Sequence, residues 1–167
     1  DAAPLLPHIN AVFMITNTTI LLKLGWLIFI VYLVFLAYFL FFSEDFGRTR
    51  EDYAYNLVPL REIRRFFLYS HIVGVQAFFL NIVGNVVGFM PFGFFLPVIS
   101  RRSRLWYNTV LLSFLFSLSI ETIQLVFRVG SFDVDDMILN TLGGILGFVC
   151  YKIVQRIRKR RRMGAKA

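Results

Sequence analysis

The chain has 167 residues, of which 57% are hydrophobic and 20 are phenylalanine, with a mean hydropathy of +0.68. A soluble domain of this size buries only about 70% of its surface, too little to hide so much apolar side chain. A soluble globular domain is therefore excluded, as are a disordered chain, by the same hydrophobicity, and a disulfide scaffold, by the single Cys150.

Charge-free runs place the elements in chain order. Residues 1–19 are read as a leader or a remnant foreign to the fold, and no function is assigned to them. Leu24 to Phe42 carries no charge over 19 residues. That is too long for a signal-peptide core, and no small-residue cleavage site follows it. Residues 43–71 form a loop whose acids (Glu44, Asp45, Glu51, Asp52, Glu62) balance five arginines. Within it Pro59 can start a short helix. Leu60, Ile63 and Phe67 then share one face, with Arg61, Arg64 and Arg65 elsewhere, which predicts an interfacial helix.

Ile72 to Ser100 is charge-free over 29 residues, interrupted by Asn81, Asn85 and Pro91. Leu105 to Phe127 holds one ionisable residue, Glu121. Met137 to Tyr151 holds none, and Lys152 can snorkel and extend that span to about Val154. A bilayer core about 30 Å thick needs ~20 helical residues. The expected fold is all-α, a bundle of four transmembrane helices over residues 20–154, followed by a basic tail at 155–167.

Four spans put both termini on one side. With that side cytoplasmic, 12 Lys and Arg lie inside and six outside, so the positive-inside rule predicts N-in and C-in. Trp106, Tyr107 and Tyr151 then sit at the inner interface, and the basic tail meets anionic lipid there rather than nucleic acid.

Polar residues inside the spans are costly unless partnered, and they usually face the bundle interior. Asn81, Asn85 and Gly88 share a face of the second span. Ser117, Glu121, Gln124 and Arg128 form a stripe on the third. Asp133, Asp136, Asn140, Gly143 and Gly147 form one on the fourth, with its acids at the helix start, where negative charge is favoured. Gly84 and Gly88 make a small-xxx-small pair suited to close helix approach. With alternating helix directions, all three stripes gather in the extracytoplasmic half, so a polar pocket opening outward is expected. Structural uses compete with this reading. The asparagines can serve as interhelical glue, Glu121 and Arg128 as an ion pair, and Asp133, Asp135 and Asp136 as a solvated loop with a helix cap. His71 reads as interfacial and Cys150 as core. Zincin, nucleophile-elbow and phosphate-loop motifs are absent. With only His8 and His71 in the chain, no metal site and no cofactor are expected.

Four blocks then resemble one family in order and spacing: NLVPLREI (Asn56 to Ile63), NIVGNVVGFMPFGFFLP (Asn81 to Pro97), SLSIETIQL (Ser117 to Leu125) and FDVDDMILNTLGGILG (Phe132 to Gly147). Together they are similar to the VanZ-like family, over roughly Arg48 to Tyr151. Leu60 departs from the family's usual Phe after the proline. The resemblance implies a bacterial membrane protein acting at the outer face of the cytoplasmic membrane. The family's namesake is associated with low-level resistance to the lipoglycopeptide teicoplanin. The expected ligand is thus an amphiphile, a lipoglycopeptide or a cell-wall lipid. It would be held by the three stripes and Asn56, with Arg128 and the asparagines on its polar groups. The rival is an intramembrane hydrolase or transferase, with Glu121 as general base and Asp133 or Asp136 as acid or metal ligand. A third reading is an accessory that only stabilises a partner.

Overall fold

The computed structural model describes residues 6–42, 55–69, 71, 74 and 78–164, with α1 side chains described at 19–20 and 22–41. The acids at 44, 45, 51 and 52 and the arginines at 48 and 50 lie outside the described residues, as do most of residues 72–77.

Helix α1 runs over Leu6–Phe42, strand β1 over Tyr55–Asn56 and helix α2 over Arg61–Leu68. A π-helical turn at Phe79–Val83 leads into α3, Gly84–Ile99. After a 3₁₀ turn at Arg102–Arg104 come α4 (Trp106–Phe127), strand β2 (Phe132–Asp133) and α5 (Val134–Gly164). Four helical spans, Leu22–Phe41, Phe79–Ile99, Trp106–Phe127 and Val134–Gly164, are long and apolar enough to cross a membrane. The molecule is an all-α, multi-pass membrane bundle. Most of the described α1 side chains are exposed apolar groups such as Val34, Phe35 and Tyr38, as suits a helix whose solvent is lipid.

The tightest packing joins α3 to α5. A Cβ on Gly93 would lie 1.9 Å from the Gly144 carbonyl oxygen, one on Gly147 1.9 Å from that of Met90, and one on Gly143 2.2 Å from that of Val86. These are backbone-to-backbone approaches that only glycine allows, and in lipid such close packing replaces the hydrophobic drive. The pair expected from sequence to serve this purpose does not. Gly84 and Gly88 have only ordinary contacts, at 3.7 and 3.8 Å. Gly88 instead faces Leu36 of α1 and accepts a 2.7 Å hydrogen bond from the Tyr32 hydroxyl at its carbonyl.

Aromatic packing holds α1 and α4 to α3. Phe92 stacks on Phe116 at 4.5 Å with rings 7° from parallel, and Phe29 tilts against Phe92 at 5.8 Å. Leu36 and Leu40 of α1 share a buried cluster with Phe89 and Ile120.

Two features at the α2 end were not expected. Strands β1 and β2 pair in parallel, Tyr55 with Phe132 and Asn56 with Asp133. This ties the chain before α2 to the α4–α5 connection. Helix α2 also starts at Arg61 rather than Pro59, because Leu60 sits in the left-handed region at φ 65°. Its buried residue is Phe66, while Leu60 and Phe67 are exposed. Phe66 therefore docks α2 on the bundle, while Leu60 and Phe67 of the expected interfacial face are left mostly exposed.

Candidate functional site

Asp135 orients α2. The first N–H groups of a helix have no partner within it, and here another helix supplies one. The Asp135 carboxylate, in the first turn of α5, accepts hydrogen bonds from the backbone N–H groups of Leu60, of Glu62 at 2.7 Å and of Ile63 at 3.1 Å. Asp135 is 1% exposed. The expected helix-capping use of these acids is realised, but the helix capped is α2, more than 70 residues earlier in the chain.

Asp133 is the next link. Its Oδ1 accepts from Asn56 Nδ2 at 3.0 Å and from the Asp135 N–H at 2.8 Å. Its own N–H donates to Glu121 Oε2 at 2.8 Å. A continuous hydrogen-bonded path thus runs from Glu121 on α4 through Asp133 to Asp135 and on to α2. Burial pushes the Asp133 carboxyl above its usual range, the two hydrogen bonds pull it back, and the negative charges of Asp135 and Glu62 push it further up.

The polar stripes of three helices are paired across their seams. Asn85 Nδ2 of α3 donates to Asp136 Oδ1 of α5 at 2.6 Å. Asn140 Nδ2 of α5 donates to Ser117 Oγ of α4 at 2.9 Å. Gln124 Nε2 of α4 donates to the Leu40 carbonyl of α1 at 3.1 Å, which anchors the end of the first span. Asn140 and Gln124 satisfy buried acceptors that water cannot reach in a bilayer, and Asn85 satisfies a half-buried one.

A cavity of about 370 Å³ opens at this end. One wall is α2, with Arg61, Glu62, Arg65 and Phe66; the other carries Asn56, Asn81, Asp133 and Asp136. Arg65 and Glu62 form an ion pair at 2.7 Å. A second, apolar groove of about 270 Å³ runs between α1 and α3, lined by Tyr32, Phe35, Leu36, Phe39 and Phe89 among others. Asn85 also lines this groove. Since Asp136 lines the polar cavity, the Asn85–Asp136 hydrogen bond links a residue of one space to a residue of the other.

Of the residues singled out from sequence, Asn56, Asn81, Asp133 and Asp136 line the polar cavity, and Asn85 stands at its junction with the groove. Glu121, Ser117, Gln124 and Asn140 are buried behind it in the helix seams. Arg128 is exposed at φ 54°, in the left-handed position that ends α4, and does not line the cavity. The arginines that do are Arg61 and Arg65, which the sequence pattern places only off the apolar face of the short helix. Their spacing of four, one helical turn, is the signal that they share a face. Among the described residues, no three His, Cys, Asp or Glu side chains come together as a metal site.

The sequence profile of the VanZ/LLP1 family matches residues 29–155. The chain is also 37% identical over 73 residues to Protein VanZ of Enterococcus faecium, a match covering 44% of this chain and 45% of that protein. The chain thus spans less than half the length of this relative. No solved structure matches. The matched profile covers the second and third spans, most of the first and fourth, and every residue of the polar cavity, and the chain belongs to the VanZ/LLP1 family.

Proposed function

We propose that this protein binds an amphiphile from the outer face of the bacterial cytoplasmic membrane, with both termini inside and the α2 end outside. The polar head occupies the cavity under α2 and an acyl chain lies in the groove between α1 and α3. The observation that carries this reading is a link between the two spaces: Asn85, which lines the apolar groove, donates a 2.6 Å hydrogen bond to Asp136, which lines the polar cavity. Ligand sites are mostly apolar with a few placed polar groups, and an amphiphile needs both in sequence. The family resemblance makes a lipoglycopeptide such as teicoplanin, or a cell-wall lipid, the ligand, and binding it the contribution to resistance. The basic tail, at the opposite end, rests on anionic lipid.

The binding reading is favoured over catalysis by where the carboxylates point. Glu121, the best base by sequence, lies outside the cavity and accepts from the Asp133 backbone. Mass spectrometry of purified protein incubated with teicoplanin or a cell-wall lipid, with Mg²⁺ or Zn²⁺ supplied, is the test. The expected result is co-purification of the ligand at its original mass, with retention lost in Asn85→Leu. A cleaved or transferred acyl or phosphoryl group, absent in Glu121→Gln, would replace the binder with an enzyme.

A further inference from the structure

We infer that the ligand's acyl chain is joined to its head through a secondary amide, whose N–H donates to the side-chain carbonyl of Asn85. This inference rests on the amphiphile reading above and specifies the bond between head and chain.

Asn85 is 8% exposed and lines the apolar groove. Its Nδ2 donates to Asp136 Oδ1 at 2.6 Å. Its own Oδ1 accepts no hydrogen bond among the described residues. Asn81, four residues earlier, would share its face on a regular α-helix. With the π-helical turn at Phe79–Val83 leading into Gly84, Asn81 lines the polar cavity and Asn85 the groove. Such turns are frequent at functional sites.

The groove's own donors point elsewhere. Its polar side chains are Tyr32 and Asn85. The Tyr32 hydroxyl donates to the Gly88 carbonyl at 2.7 Å, as Asn85 Nδ2 does to Asp136. Pro91 has no N–H, so the Val87 carbonyl one turn earlier lacks its regular helical donor, and both residues line the groove. An acceptor kept from water needs a donor, and here the ligand can bring it. Asn85 bonds a residue of the polar cavity while lining the apolar groove, so the bond between head and chain falls beside it. A secondary amide there presents an N–H to Oδ1. An ester presents only oxygens, which would meet Oδ1 acceptor to acceptor.

The test uses the full chain, stripped of lipid in detergent, and three probes with the same dodecanoyl chain and hydroxyethyl head, bound probe being read by native mass spectrometry. The probes are N-dodecanoylethanolamine, its N-methyl derivative and 2-hydroxyethyl dodecanoate, and of these only the first has an N–H. N-dodecanoylethanolamine is expected to bind about tenfold more tightly than either of the others. Asn85→Ala removes Oδ1 without filling the groove as Asn85→Leu does. It should bind all three probes alike, and its retained binding of the ester shows that it is folded. Should Asn85→Ala fail to fold, the three-probe comparison in the unmodified chain decides alone. Equal binding of the three to the unmodified chain overturns the amide and leaves the amphiphile reading standing, as does an amide preference that survives in Asn85→Ala. Tighter binding of 1,2-dodecanediol than of the amide would make the donor a hydroxyl and overturn the amide as well. Failure of every probe to bind above the Asn85→Leu background overturns both readings.

Discussion

Asp135 and Asp133 are two residues apart and do opposite work. Asp135 accepts hydrogen bonds from the N–H groups of α2 and fixes that helix to α5. Asp135→Ala leaves those donors without their acceptor and should cost about 2 kcal/mol. Thermal unfolding in detergent, with hydrogen exchange of the amides at 60–63, measures this, and faster exchange there than elsewhere is expected. Asp133 is instead raised by burial above its ordinary 3.8. Between 3.8 and the raised value, the folded state holds a proton that the unfolded state has lost. Stability therefore falls as pH rises through that window and levels off above it. Asp133→Asn removes this component, and its melting temperature should vary less with pH there than that of the unmodified protein. The acids at 133, 135 and 136 were legible as a cluster at a helix start. Their division of labour was not, because it depends on which backbone groups lie opposite, and those come from β1 and α2.

Among the elements, α3 and α5 are held by glycine backbones and α2 by a distant acid. Gly147→Ala puts a methyl 1.9 Å from the Met90 carbonyl oxygen with no flexible side chain to yield, and should destabilise by about 2 kcal/mol or more. Gly84→Ala, with its nearest contact at 3.7 Å, should be neutral or gain up to about 1 kcal/mol from helix propensity. Comparing the two by unfolding in mixed micelles checks which glycines hold the seam. The spans and their polar stripes were legible because a 3.6-residue period and a charge-free run are local properties. The docked face of α2 was not. Ile63 and Phe67 make as good an apolar pair as Phe66, and the choice is made by hydrogen bonds to a residue 72 to 75 positions later. The same choice turns Arg61 and Arg65 towards the cavity.

For the whole molecule, the orientation in the membrane decides whether the cavity meets the envelope or the cytoplasm. In a Cys150→Ser background, Ser131→Cys, exposed beside β2, should react with a membrane-impermeant thiol reagent added to intact cells. Arg102→Cys, exposed at the opposite end of the bundle, should react only after lysis. The reverse pattern would turn the cavity inward. The charge asymmetry that supports this orientation is read from sequence, and so is the crowding of polar residues at one end. Which helices build the apolar groove was beyond such reading, since the α1 and α3 faces that line it look like any lipid-facing helix.

The tie between Leu60 and Asp135 also has a consequence in time. Leu60 precedes its partner by 75 residues, and all of α3 and α4 lies between them. At about 5–20 residues per second, a ribosome needs roughly 4–15 seconds after making Leu60 to add Asp135. Through that interval α2 lacks its acceptor and the preceding β1 lacks its strand partner Phe132–Asp133. The nascent chain therefore carries an amphipathic segment with nowhere to dock but the lipid surface, and the cavity closes only when the last helix arrives.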